Sequence, residues 1–403
     1  MLSSQVILFF IVLLLLALLL EPLAEKINLP FSIVLVVIGY VASEFSVHVL
    51  ELDTGIRWDN FKPVIFYVIL PVLIFQAALE IRLEALWRNL LPILILALPL
   101  MLVSTLVTAL FVYTGIDHPV GFPWIAALIT GALLSATDPA AVLSLMNRAG
   151  APERLRVLLE GESLFNDATA VVLFVLLIGI AMSGHDATDY ASLLSRFVEV
   201  FMGGLLTGFI IALILKLLSL RLASQQMLSL LSTAGAYSSF IVAEDLFHFS
   251  GVISVLACGM TFGFLQRGHL DHDSFCHRLW QLLNKLAESM IFLLAGITVT
   301  LAMFIDQWLA IVIGIVAVTL ARFAVIFGSF PLLALLPGVE PVPFRQQAIL
   351  VWGGVRGTVT LALALSLPLT LDYWYTIQSI AYGVVLFTLF VQTTSMPYLL
   401  GRR

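Results

Sequence analysis

Thr137, Asp138 and Pro139 stand in the middle of an apolar run, 124–146, that is long enough to cross a membrane. Glu162, Ser163, Leu164, Phe165, Asn166 and Asp167 stand inside the next run, 157–182. A carboxylate at mid-membrane costs roughly 2.5–3.5 kcal/mol on insertion scales. Pro139 has no N–H, so the carbonyl of Ser135 loses its usual helical partner. Irregular backbone at that depth is tolerated only inside protein or along a water-filled cavity. Acids, hydroxyls and freed carbonyls gathered at the bilayer centre describe a site for a small hard cation.

The spacing in 157–182 sorts the polar residues. Residues four apart share a helical face, so Ser163 and Asp167 form one stripe. Glu162 and Asn166 form a second, rotated by about 100°. The first stripe offers a hydroxyl and a carboxylate, a ligand set for sodium or lithium. The second offers a carboxylate and an amide, suited to a guanidinium. Arg322, in the run 308–330, cannot shed its proton and needs a buried counter-charge; Glu162 is the acid to pair with it, with Asn166 completing the hydrogen bonding and Arg356 as the rival cation. Such a pair is a structural brace rather than an ion ligand. Asp138 and Asp167 are left without an evident basic partner. Desolvation disfavours an unpaired carboxylate anion, so cation and proton compete for it, and that competition is exchange. Asp167 is the first candidate for the exchanging group and Asp138 the second, although Asp138 could instead cap the helix end that Pro139 creates. Glu160, on the Ser163/Asp167 side, is either a cation attractor or a solvated helix end.

The elements that must hold these residues are membrane helices. The chain has 403 residues, 61% hydrophobic and 11% charged, against about 25% charged in soluble domains. It reads as a single all-α polytopic transmembrane domain over 1–403, with about 13 spans: 6–20, 30–41, 64–79, 90–114, 124–146, 157–182, 193–218, 227–243, 252–265, 282–304, 308–330, 347–367 and 377–400. The second and ninth are short and are expected to extend into their flanks. The first lacks a small-residue cleavage site and reads as a span, not a signal peptide. Of the 19 lysines and arginines, only Arg57, Lys62 and Arg196 fall in loops after even-numbered spans, and Arg322 and Arg356 lie within spans. The remaining basic residues follow odd-numbered spans, which places those loops in the cytoplasm, the N-terminus outside and the C-terminus inside. Loops 43–63 and 266–281 are the longest and could hold short surface helices, and the short tail predicts no cytoplasmic regulatory domain.

Two spans carry backbone-breaking chemistry: the fifth, at Ser135 to Pro139, and the twelfth, at Gly353, Gly354, Val355, Arg356, Gly357 and Thr358. They are seven spans apart and enter the membrane from opposite sides. Paired interrupted helices in corresponding positions point to inverted repeats with a binding site between them. The halves are then 6–182 and 227–400, joined by a connector helix over 193–218. Glycines in a membrane helix can also serve close packing alone.

Other features offer less. Cys258 and Cys276 imply no disulfide framework. His48, His118, His185, His248, His269, His272 and His277 fall in loops or at helix ends. Glu288 opens the tenth span with no partner evident in the sequence. No metal-ligand spacing, phosphate loop or dinucleotide fingerprint is present. A cation channel would need repeated filter elements, which are absent. An intramembrane aspartyl protease built on two aspartates would need a Gly-x-Gly-Asp sequence, also absent.

The runs Ser135–Pro139, Glu160–Asp167, Glu288–Phe292 through Gly296, Arg322 and Gly353–Gly357 together resemble the monovalent cation:proton antiporters of the sodium/proton exchanger (NhaP-type) branch. They occur in that family's order over most of the chain. The resemblance implies thirteen helices with inverted six-helix repeats and two crossed discontinuous helices, a homodimer, and an elevator-like movement of the ion-binding core. It implies that the Thr137 main chain, Asp138, Ser163 and Asp167 ligate Na+ (or Li+ or K+), and that Glu162, Asn166, Arg322 and Arg356 brace them. It implies transport of one proton per cation, since Asn166–Asp167 stands where electrogenic relatives carry two acids. The partners would be the cation, the proton and membrane lipid, with no nucleic acid and no cofactor, and the setting a plasma (inner) membrane with a role in pH and sodium homeostasis. One departure stands out: Gln76 occupies the place of an acid that the family often carries in the third span.

Overall fold

A computed structural model describes residues 31–48, 61–81, 83–116, 121–183, 190–221, 224–266, 274–335 and 340–401, with scattered positions between 11 and 22. Among the described residues the chain is helical with no strand. The helices are α1 (Phe31–His48), α2 (Phe61–Glu80), α3 (Leu90–Gly115), α4 (Trp124–Ser135), α5 (Ala140–Ala149), α6 (Glu153–Ser183), α7 (Tyr190–Ser219), α8 (Gln225–Ile241), α9 (Gly251–Leu265), α10 (Phe275–Thr298), α11 (Trp308–Leu333), α12 (Phe344–Trp352), α13 (Thr358–Leu365) and α14 (Trp374–Leu400). Among the described residues seven helical spans are long and apolar enough to cross a membrane, one of them α4 and α5 taken together. Side chains such as Leu106, Leu206, Leu213, Val312 and Phe323 turn outward, as lipid-facing surface does.

The expected spans map onto these helices with two corrections. The ninth stays short, as the 15-residue α9, because the Ser250 hydroxyl caps its start by accepting the Ile253 N–H at 3.2 Å. The tenth starts earlier and ends earlier than 282–304. Ser274 caps α10 by accepting the His277 N–H, so the helix begins inside the loop assigned to 266–281. It ends at Thr298, and the residues beyond form a separate short turn, Leu301–Asp306. The fifth and twelfth spans are each two helices. Much of the first expected span and most of the 43–63 loop lie outside the described residues.

Glycines set how closely the helices approach. A Cβ on Gly39 of α1 would strike the Leu293 carbonyl of α10, and one on Gly296 would strike the Val36 carbonyl. Phe31 meanwhile lies under the Lys285 ammonium, 5.7 Å from the ring centre. Contacts pairing 31 with 285 and 39 with 293–296 advance together, so α1 and α10 run parallel. By the same test α7 and α9 are parallel, with Gly203 against Phe249 and Gly208 against Ser254. So are α2 and α9, with Phe75 against Gly259 and Leu79 against Gly263. Close small-residue contact is how membrane helices associate without a hydrophobic driving force. Parallel neighbours need an even number of crossings between them, as the expected numbering of spans 2 and 10, 7 and 9, and 3 and 9 supplies.

Candidate cation site at the crossing of two broken helices

The backbone between α4 and α5 is unwound over 136–139, and that between α12 and α13 over 354–357. The two breaks cross: the Asp138 N–H donates to the Val355 carbonyl at 2.7 Å. Their pairing runs antiparallel, with Ala136 against Thr360 and Asp138 against Thr358. An unwound segment inside protein must place its freed backbone groups, and most of those in the first break can be followed.

The Ser135 carbonyl, deprived of a donor by Pro139, accepts from Asn166 Nδ2 at 2.7 Å and from Arg356 Nη1 at 2.7 Å. The Ala136 carbonyl accepts from the same Arg356 nitrogen at 2.9 Å and from the Thr360 hydroxyl at 3.4 Å. The Thr137 carbonyl accepts the Ser163 hydroxyl. The Thr137 N–H donates to Asp167 Oδ1 at 3.1 Å. Ser163 and Asp167, one turn apart on α6, therefore grip one peptide unit on either side of Thr137. On the second break, the Arg356 N–H donates to the Thr388 hydroxyl at 3.0 Å, in a π turn of α14, Thr388–Gln392.

Asp138 bridges the start of both half-helices. Its Oδ1 accepts the Ala140 N–H at 3.1 Å, and its Oδ2 accepts the N–H and hydroxyl of Thr358 at 3.3 and 3.1 Å. It is thus a helix cap, the alternative that the sequence left open, and caps α13 as well as α5. Three donors leave a carboxylate acceptor position still available. Gly357 lies against it so closely that a Cβ there would overlap the carboxylate.

Glu162 and Arg322 form a bidentate ion pair, with Arg322 Nη1 on Oε1 at 2.7 Å and Nη2 on Oε2 at 3.1 Å. Both are buried, 3% and 7% exposed. Arg322 Nε also donates to the Leu350 carbonyl at 3.1 Å. That carbonyl is free because the Gly354 N–H, its helical partner, turns to Val351. The choice between Arg322 and Arg356 as partner of Glu162 therefore falls to Arg322, and Arg356 serves the carbonyls of the first break. Asn166 was expected to complete the Glu162–Arg322 pair. It points to Ser135 instead, because the carbonyl stripped by Pro139 needs a donor and the guanidinium has already filled both Glu162 oxygens.

Among the described residues no cationic side chain pairs with Asp138 or Asp167, and both are half-buried. Glu288 is not isolated: Asn284 Nδ2 donates to it at 2.8 Å. Gln76 is buried in α2, 8% exposed. Thr358, Thr360 and Thr388 were missed in the sequence; the signal for Thr358 was its position as the first residue after a run of three glycines and an arginine, where a helix restarts with orphan N–H groups.

The crossing gathers a carbonyl, a hydroxyl and two carboxylates beside a framework in which Glu162 and Arg322 neutralise each other and Arg356 serves the carbonyls of the first break. The transmembrane sodium/hydrogen exchanger family profile matches residues 11–402. The low-affinity Na(+)/H(+) antiporter NhaS1 of Synechocystis sp. is 34% identical over 94% of this chain and 70% of its own length. The Na(+)/H(+) antiporter NhaP of Pseudomonas aeruginosa is 32% identical over 91% of this chain and 88% of its own. Among solved structures, the sodium proton antiporter MjNhaP1 from Methanocaldococcus jannaschii at pH 8 superposes with a TM-score of 0.78 at 20% identity, covering 96% of this chain and 98% of that one. The chain belongs to the sodium/hydrogen exchanger family.

Proposed function

We propose that this antiporter exchanges Na+, one for one, against a proton bound in turn at the same carboxylate, Asp167. The observation that carries the proposal is the grip of α6 on the first break: Asp167 and Ser163 hold the two sides of Thr137, and no basic side chain among the described residues neutralises Asp167. A cation seated there would take the Thr137 carbonyl, the Ser163 hydroxyl, Asp167 and the remaining acceptor position of Asp138. Asn166, Arg356 and the Glu162–Arg322 pair hold these ligands in place. Li+ fits the same oxygen set, and K+ is the next to test.

The protein is a transporter rather than an enzyme, integral to a membrane. We place it in a plasma (inner) membrane with the N-terminus outside and the C-terminus in the cytoplasm, on the strength of its basic-residue asymmetry. Two inverted repeats, 6–182 and 227–400, joined by α7 would account for the paired broken helices, and we infer a homodimer, a role in pH and sodium homeostasis and no cofactor from the resemblance to the family. Proteoliposomes holding an acid-inside gradient supply the test. Na+ added outside should dissipate the gradient, Li+ likewise, and each cation is scored in turn. A gradient untouched by every monovalent cation would overturn the proposal. Steady unitary currents in a patch would favour a channel, and cleavage of a membrane peptide an aspartyl protease; neither has support in the site or in the relatives.

A further inference from the structure

One face of α10 is polar where a membrane helix should be apolar. His277, Gln281, Asn284 and Glu288 are spaced four, three and four apart, which sets them within one narrow stripe. None is fully buried: Gln281 is exposed and the other three half-buried. On the next turns of the same face, Ile291, Phe292 and Ala295 are buried, 0%, 4% and 1% exposed. The polar stripe thus starts at the end of the helix and stops dead at Glu288. Eleven residues of helix are about 16 Å, roughly half of a 30 Å hydrocarbon core.

The stripe has an opposite wall and a destination. At its outer end Gln281 Nε2 meets Glu80 Oε1 at 3.4 Å and His277 Nε2 at 2.9 Å, and His277 Nε2 lies 3.5 Å from Glu80 Oε1. Glu80 closes α2, and Gln76 sits one turn earlier on the same face. At its inner end Asn284 holds Glu288. The Glu288 carboxylate feels the charges of Asp138 and Glu80, one at each end of the stripe. α10 packs against α13, whose first residue, Thr358, is bonded to Asp138. The basic residues of this part of α10 lie off the stripe, Lys285 over Phe31 on α1.

We propose that this stripe is the path by which the cation and the proton reach the broken helices from the Glu80 side, with Glu288 as the positioning carboxylate at its inner end. This deepens the proposed exchange and rests on it. Glu288 supplies negative charge beside Asp138 from a different helix than Gln76 does, so the neutral Gln76 does not leave the approach without an acid. Asn284 holds one Glu288 oxygen and leaves the other to face an arriving ion. Glu288 is not itself a ligand at Thr137; it raises the local cation concentration next to those that are.

Accessibility and saturation test the path separately. In a Cys258→Ala/Cys276→Ala background, Gln281→Cys and Asn284→Cys should react with a membrane-impermeant thiol reagent applied from the Glu80 side and not from the other. Leu286→Cys, on the opposite face of α10, should not react from either. Saturating Na+ should slow labelling at Asn284→Cys. In proteoliposomes Glu288→Gln should raise the Na+ concentration giving half-maximal exchange by roughly fivefold, the influence of one nearby charge at a partly screened site, with the maximal rate little changed; Glu288→Asp should restore most of it. A merely structural role would lower the maximal rate and leave half-saturation alone. Unreactive thiols at 281 and 284, equal labelling from both sides, or an unchanged half-saturating Na+ in Glu288→Gln would each overturn the path. A parent protein without cation-dependent proton flux would overturn the exchange itself, and the labelling would still decide the path.

Discussion

Arg322 on α11 and Glu162 on α6 meet end to end, both guanidinium Nη atoms on both carboxylate oxygens, at 2.7 and 3.1 Å. The same guanidinium reaches the Leu350 carbonyl exposed by the second break. One side chain thus fixes α6, which carries the proposed ion ligands, to the second broken helix, and its charge is cancelled where it stands.

Removing one partner of a buried pair leaves an unpaired charge and costs about 3–5 kcal/mol. Glu162→Gln and Arg322→Ala should each lower the unfolding temperature in detergent, and Arg322→Ala should cost more because it also strips Leu350. Replacing both with neutral residues should recover part of the loss. Singles and double as stable as the parent would show that the pair is not holding the core.

Asp167→Asn keeps the shape and the hydrogen bond from Thr137 but cannot hold a proton and a cation in turn. Exchange should vanish in proteoliposomes while insertion and thermal stability survive. Measurable Na+-dependent proton flux in that variant would remove Asp167 as the exchanging group. Ser163→Ala, which leaves the Thr137 carbonyl without its donor, should weaken Na+ affinity without abolishing turnover.

How much of this was legible in the sequence follows from local chemistry. The Thr-Asp-Pro break, the two stripes of α6 and the need of Arg322 for an acid all follow from rules that act within a few residues. The pairing of spans 2 and 10 was not legible, because contact between Gly39 and Gly296 depends on how distant helices dock. Asn166 was assigned to the wrong partner for a similar reason. Spacing placed it on the Glu162 stripe, but a carbonyl 31 residues away outbid the guanidinium. The second break could be located from its glycines, yet the role of Thr358 required knowing that Asp138 lies across from it. The start of α10 was misplaced because its first turns, 275–281, are polar enough to read as loop; His277 and Gln281 there begin the stripe proposed above as the approach to the site.

Gly357 and Gly354 are held small by what they touch. A Cβ on Gly357 would overlap the Asp138 carboxylate, and one on Gly354 would overlap the Arg322 guanidinium. Overpacking typically costs about 1–3 kcal/mol, but the two positions should differ in what they damage. Gly354→Ala should behave like a weakened ion pair, losing thermal stability first. Gly357→Ala should displace Asp138 from Thr358 and lose exchange first, with stability reduced less. Equal loss of both properties in the two variants would mean that the crossing yields as a single unit.

The stoichiometry has a voltage signature. Moving one elementary charge across the membrane is worth about 2.3 kcal/mol per 100 mV, so a cycle carrying net charge must respond to potential. If the site crosses with one Na+ in one direction and one proton in the other, the moving charge is equal both ways. Asn166 contributes no titratable group, and the Glu162–Arg322 pair is neutral as a unit. Exchange of Na+ should therefore run at the same rate under a potassium/valinomycin potential of either sign. Cation and proton should also compete: low pH should suppress Na+ uptake, and high Na+ should relieve the suppression without changing the maximal rate. Asp138 is the group that could break this symmetry, since it is half-buried and faces the same crossing. Its three donors, two from Thr358 and one from Ala140, tie it to the start of both half-helices. An inside-negative potential that speeds exchange would mean that more than one proton moves per cation.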